Sequence, residues 1–434
     1  MRIAGLLATL ALCFFLDCSC QRSSKPVTIT FLDLEWDVRD RLPGLAQDLR
    51  DFTQETGIRI NRLPGPDGSL NQLALWRELL RKGAGAPDVC NIDAIWSGIL
   101  NEYLMDLKAY ISSDLFSQDP VVVGSYTVGH KLVAIPHHAY VGGLFYRPDL
   151  LQQYGYRRPP KSWDELETMA ARIQAGERAK GKNDFWGFTW EGAEGEDLTC
   201  MGLEWQFAEG GGRIVEEDGT ISVNNPQTIR AWQRAVHWIG SISPPGVAVY
   251  GKWDAENLWG AGKTAFHRGW MSDYSLVALQ TPPAGASAFG VTSMPAGAAA
   301  RVGTLGGNAL AVPRSSAHPQ EALAMIRFLR RKDIQRRHAR EHSEPPIQFE
   351  LFALPSILQP YPGLPQENRD GGGVVARPSI VAGGKYEAVS RAYIRALHSV
   401  LTGKKTAPIA AAALEKELIA ITGFKNGPPS TRRW

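Results

Sequence analysis

The 434-residue sequence is poor in cysteine, and what it has is badly placed for metal or redox chemistry. Apart from the N-terminal segment only Cys90 and Cys200 remain, and neither has a neighbour at Cys-x-x-Cys spacing. Cys90 lies in an apolar, strand-like stretch and reads as a small buried hydrophobe. A Cys90–Cys200 bridge is compatible with an oxidising compartment, but the spacing does not ask for one. A concentrated basic face is also missing. Lys and Arg total 47 against 44 for Asp and Glu, and the net charge of +3 is spread along the chain, so nucleic acid is not expected as a partner. No apolar run is long enough to cross a bilayer; the stretch Ile3–Leu16 falls short of the ~20 residues a spanning helix needs. There is no Gly-x-Ser-x-Gly elbow, and "GAGKT" at 260–264 lacks the earlier glycine of a phosphate loop. "HAREH" at 338–342 has the spacing of metallopeptidase zinc ligands, yet the basic "RRKDIQRR" beside it would repel a dication. No cofactor or metal is expected.

The N-terminus does carry information. Arg2, the apolar run and "DCSCQRSS" read as a secretory signal over 1–19, with the small Ser19 before Cys20 as a lipid-attachment residue and 20–26 as a linker. The mature chain is longer than one core usually serves, which favours a bilobal unit. "VTITFL" alternates as a strand; Leu42, Leu45, Leu49 and Phe52 then repeat at helical spacing as far as Gly57. "IRINRL", a helix over Ser69–Lys82 and "PDVCNID" continue the alternation, the pattern of a mostly parallel sheet covered by helices. Ligands gather at the carboxyl ends of such strands, where Asp93, Trp96 and "DLEWD" at 33–37 fall.

"KLVAIPHHAYVGGLFYR" gives two more extended segments, Pro148 opens a helix and "SWDE" at 162–165 forms a capping box. "DGTISV" and "AFGVTSMP" are short strands. Helices run through "EALAMIRFLRRKDIQRR", a Pro-rich span covers Pro345–Pro365, and two helices close the chain between Lys385 and Ala420.

"FWGFTWEGAEGEDLTC" at 185–200 sets four aromatic rings among four carboxylates without one Lys or Arg. Rings cover flat C–H surfaces while carboxylates accept charge-assisted hydrogen bonds from hydroxyls, so the combination suits a sugar. A packed core would be penalised for the acids.

"PDVCNIDAIW", "AIPHHAYVGGLFYRPDLLQQYGYRRPPKSWDELE", "GFTWEGAEGEDLTC", "GKTAFHRGW", "GTLGGNALAVP" and "ARPSIVAGGKYEAVSRAYIRALHSVLTGKK" stand in an order that resembles the extracellular solute-binding proteins (family 1) of carbohydrate ABC importers, closest to the trehalose- and maltose-binding branch. The resemblance implies an α/β, two-lobed periplasmic-binding-protein fold of the class II type. Each lobe is then a mainly parallel sheet flanked by helices: lobe 1 from 26–138 plus 303–345, lobe 2 from 139–302 plus 346–427, and a tail over 428–434. It implies a monomeric, lipid-anchored protein on the periplasmic or extracellular face of the membrane, closing on a disaccharide or short oligosaccharide and serving permease subunits.

Position by position, the resemblance gives Asp93 as a holder of sugar hydroxyls, although a strand-end acid also caps a following helix. Glu35 or Asp37 matches a polar contact in the same lobe. Trp270 matches a stacking ring assisted by Tyr274, Gly306 and Gly307 match backbone lying close to ligand, and Arg377 matches a two-pronged donor. Trp190 and Glu191 match the turn of the second lobe toward the cleft, with Glu194, Glu196 and Asp197 capping the next helix. Tyr140, beside His137 and His138, stands where relatives often carry an acid. The alternative is a secreted glycoside hydrolase, which also mixes tryptophans with paired carboxylates.

Overall fold

A computed structural model describes residues 26–34, 43–66, 69–83, 85–110, 120–271, 283–286, 288–341, 351 and 373–430. The chain begins with three strands and two helices in alternation. These are β1 (Thr28–Asp33), α1 (Pro43–Thr56), β2 (Arg59–Pro64), α2 (Ser69–Lys82) and β3 (Val89–Asp93). β1 lies parallel to β2 on one side and β3 on the other. Leu45, Leu49 and Phe52 bury one face of α1, which stops at Gly57 with φ +73°, a left-handed position that glycine takes without strain.

Beyond a small hairpin at 127–132 the chain enters β4 (Ile135–Tyr146), then α3 (Trp163–Ala179), β5 (Trp186–Thr189), α4 (Glu196–Ala208), α5 (Pro226–Trp238), α6 (Lys252–Gly260), β6 (Thr264–Trp270) and β7 (Gly290–Ser293). It continues with β8 (Val302–Ala311), α7 (Pro319–Leu329), α8 (Lys332–Glu341), β9 (Gly373–Val375), α9 (Tyr386–Leu401) and α10 (Ala407–Thr422). The nine strands form one sheet in the order β2-β1-β3-β8-β4-β6-β5, with β7 also paired to β4 and β9 to β8.

Two long strands make that sheet continuous. Residues 135–141 of β4 pair with β8, whereas 142–146 pair with β6 and β7. On β8, residues 308–311 pair with β3 and 302–304 with β9. Each strand therefore has one half in the β1–β3 lobe and the other in the lobe of β5, β6, β7 and β9. The sheet is mixed, and every antiparallel pair in it involves β4 or β8, the strands that run back between lobes. "Mainly parallel" thus holds only for the remaining pairs.

α4 is buried at every position from Leu198 to Ala208, and its long polar side chains are paired inside, Glu204 with Arg268 and Gln206 with the Tyr393 hydroxyl. The "SWDE" box is half formed: the Ser162 hydroxyl accepts the Glu165 N–H at 3.3 Å, but the Glu165 carboxylate accepts Lys161 N–H and Arg158 instead of closing on Ser162. Cys90 and Cys200 are buried, free thiols rather than a bridge, and burial pushes both above the usual thiol range. His338 is committed to the Asp48 carboxylate, while His342 lies outside the described residues. So do the signal segment and Cys20. No helix among the described residues is long and apolar enough to cross a membrane.

Candidate binding site

Strand register places the expected residues on one face of the sheet. Asn308 of β8 stands opposite Asp93 of β3 and opposite His138 of β4, Gly306 opposite Tyr140, and Gly142 opposite Trp270 of β6. Directly opposed residues of antiparallel strands point the same way, and side chains alternate along each strand. Asp93, Asn308, His138, Tyr140 and Trp270 therefore share one side, across the junction of the two lobes.

At the β3 end, Asp93 accepts the Ile95 N–H at 3.0 Å, so the acid does cap the turn that follows. Its Oδ1 also lies 3.6 Å from Nη2 of Arg377, which is buried. Arg377 Nη1 donates to Glu196 Oε1 at 3.1 Å and Nη2 approaches the Leu305 carbonyl at 3.4 Å. Its Nε–H is buried with no hydrogen-bond partner among the described residues. Burial raises both the Asp93 and Glu196 carboxyls above the ordinary range, opposed in each case by the charge of Arg377. Burial pulls the guanidinium down, but the acidic groups packed around it, Asp93 and Glu196 among them, hold it well above its usual value.

At the β6 end, the rings of Tyr140 and Trp270 meet edge to face, centroids 5.4 Å apart. A Cβ on Gly306 would fall 2.5 Å from the Tyr140 ring and 2.9 Å from that of Trp270, so only glycine fits beneath them. Gly307 adopts φ +130°, and a Cβ there would lie 2.3 Å from the His138 carbonyl. Behind Trp270 the Arg268 guanidinium sits 4.3 Å from its ring and pairs with Glu204 at 2.6 Å, both charges buried. Glu204 also accepts the Thr304 N–H at 3.0 Å, tying α4 to β8.

Other expected residues lie elsewhere. Trp190 is fully buried among Trp205 and Trp238, and its indole N–H is satisfied by Ser243 at 3.1 Å; it packs the lobe core and offers no ligand-facing ring. Glu191 is buried within electrostatic range of Arg268, on the supporting side of Trp270. Trp96 is buried edge-on to Trp76, and its N–H has no partner among the described residues. With Ile95, Glu196, Tyr386 and Ser390 it lines a recess of about 230 Å³. The acids after Glu191 do not cap α4 with their side chains: Gly195 is the N-cap, Glu194 meets His398 Nδ1 at 2.8 Å, and Glu196 faces Arg377. Glu35, Asp37 and Tyr274 lie outside the described residues.

Sequence reasoning missed Glu196 as a partner of Arg377, and it missed Tyr126 and Asn308. Tyr126 is buried near Asp93 and Tyr140, and burial, with the Asp93 carboxylate, pushes its phenol well above the usual range. Asn308 is 1% exposed, and neither atom of its amide has a hydrogen-bond partner among the described residues. The signal for it was present: in "GGNALA" it is a lone polar side chain in an apolar strand, two residues from Gly306.

The profile of the bacterial extracellular solute-binding proteins matches residues 36–336. The chain belongs to that family. A "Probable ABC transporter-binding protein" of Deinococcus radiodurans is 39% identical over 86% of this chain and 89% of its own. Among solved structures, maltose-bound MalE3 of T. maritima is similar at 30% identity with a TM-score of 0.80, over 91% of this chain and 100% of that one. A solute-binding protein of Thermotoga lettingae bound with α-D-tagatose shares the fold, at 21% identity, TM-score 0.79 and coverage of 92% and 100%. The two-lobed architecture of this solute-binding protein is therefore that of the MalE-like proteins.

Proposed function

We propose that this solute-binding protein captures a disaccharide or short oligosaccharide, of the trehalose or maltose kind, between its lobes and passes it unchanged to the permease of an ABC importer. The observation that carries the reading is a pair of contacts beside the paired strands β4 and β8, Asp93 facing Arg377 and Tyr140 meeting Trp270. Rings for the C–H faces of a pyranose stand beside an acceptor and a donor for its hydroxyls. Gly306 and Gly307 let backbone approach the sugar, Asn308 adds an amide, and the family resemblance adds Glu35 or Asp37 and Tyr274, which lie outside the described residues. Glu191 and Trp96 support the walls.

The charge balance favours a neutral ligand: Arg377 is already faced by two carboxylates. The same sharing supports binding over hydrolysis, because a glycosidase needs its two carboxyl groups flanking one bond. Maltose in the T. maritima relative supports the sugar class, and the printed name of the D. radiodurans relative supports the transport role. In this reading the protein is a monomer, lipidated at Cys20 and held outside the cytoplasmic membrane, with lobes over 26–138 plus 303–345 and 139–302 plus 346–427.

Calorimetric titration with a sugar panel including maltose and trehalose tests the reading, with a micromolar dissociation constant, near −8 kcal/mol, as the scale expected of a reversible receptor. Asp93→Ala and Trp270→Ala should each weaken binding at least tenfold, about 1.4 kcal/mol, without unfolding the protein. Normal affinity in both variants would remove the site, and release of monosaccharide would favour the hydrolase.

A further inference from the structure

We infer that Glu196 is a positioning residue for the sugar site: it fixes the Arg377 guanidinium and offsets its charge, making that cation a directed donor for neutral hydroxyls. The inference rests on the reading of Arg377 as a sugar contact. In the first turn of α4 a carboxylate ordinarily serves the helix N–H groups, yet this one turns away from them. Oε1 accepts from the Tyr386 hydroxyl and from Arg377 Nη1, and Oε2 accepts from Ser390 Oγ at 2.6 Å. Tyr386 and Ser390 are four residues apart on α9, hence on one helical face. They form a fixed cradle for the carboxylate, and the carboxylate in turn orients the fork of Arg377.

Two consequences follow for the ligand. With Nη1 on Glu196 and Nη2 near Asp93, the buried Nε–H, which has no partner among the described residues, is the donor left in place before a sugar arrives. With two carboxylates facing one guanidinium, a sugar acid meets a net negative wall while a neutral sugar does not.

The test uses the mature protein with maltose and its acid analogue maltobionate as probes. Arg377→Met should weaken maltose binding at least tenfold, and Glu196→Gln about tenfold, the scale of one charge-assisted contact. Glu196→Asp should return to within about threefold of wild type, and the double variant should bind no more weakly than Arg377→Met alone, because the two residues act as one unit. Glu196→Gln should also shift preference toward maltobionate by about tenfold, which loss of structural support alone would not do. Wild-type affinity and selectivity in Glu196→Gln, with Arg377→Met impaired, would overturn this inference alone; full additivity of the two would do the same. An unimpaired Arg377→Met, or a wild type silent to the sugar panel, would overturn the underlying reading and this inference with it. If Glu196→Gln does not fold, the pair Tyr386→Phe and Ser390→Ala, which frees the carboxylate without deleting it, should weaken maltose binding severalfold, and unchanged affinity there would refute the role.

Discussion

Trp190 and Trp270 show what a residue type conveys and what it does not. Both are tryptophans at the end of a strand beside acids, and both are mostly enclosed. Trp190 ends in a cage of other indoles with its N–H satisfied, whereas Trp270 lies against Tyr140 at the lobe junction. The difference lies in which elements pack over β5 and β6, and no local spacing records that. Asp93 was legible because a strand-end carboxylate has few uses, and it turned out to cap a turn and face Arg377 at once. Asn308 was overlooked beside two conspicuous glycines, although it stands between Asp93 and His138. A buried amide with neither atom paired destabilises a fold by about 1–3 kcal/mol, a penalty a ligand hydroxyl can relieve. Asn308→Leu, which keeps the branched four-atom side chain without its polar atoms, should therefore raise the unfolding free energy in urea by about 1–3 kcal/mol while weakening maltose binding at least tenfold. Lower stability with intact affinity would instead mark the amide as a structural group.

At the level of elements, helices were easier to read than strand partners. α1, α2, α9 and α10 announce themselves through apolar periodicity and end signals that act within a few residues. Pairing is a long-range property: nothing near Ile135 says that one half of its strand will join β8 and the other half β6 and β7. "YVGG" in β4 does carry a trace of it, since Gly142 marks where α4 presses on the sheet. A Cβ on Gly142 would lie 2.0 Å from Glu204 Oε1 and 2.6 Å from Arg268 Nη2, inside a fully buried ion pair. Gly142→Ala should thus cost about 1–3 kcal/mol in urea unfolding through overpacking, and more if the pair separates. Because Arg268 backs Trp270, maltose affinity should fall with it. A variant within ~0.5 kcal/mol of wild type would mean that α4 shifts freely on the sheet.

For the molecule as a whole, β4 and β8 both run between the lobes beside the candidate site, so the closure proposed for it would hinge there. A third passage lies close by, where the segment after Arg377 packs on the first lobe so tightly that a Cβ on Gly98 would come 2.2 Å from the Ser379 carbonyl. Lobes joined in this way can rotate only about that junction, and a ligand drives the rotation only as far as it prefers the closed state. Moving a population from 1:99 to 99:1 takes about 5.5 kcal/mol of that preference, within the roughly 8 kcal/mol of a micromolar complex. In the proposed reading that preference comes from walls that touch sugar together only when closed, Asp93 on the β3 side and Trp270 on the β6 side. Saturating maltose should therefore shrink the radius of gyration of the wild type in small-angle X-ray scattering. Trp270→Ala, measured at a concentration that saturates the variant itself, should contract less, because the second lobe then loses its stacking ring and keeps only the Tyr140 and Arg377 contacts. Contraction of the saturated variant to the wild-type value would show that closure draws its energy from some contact other than the indole.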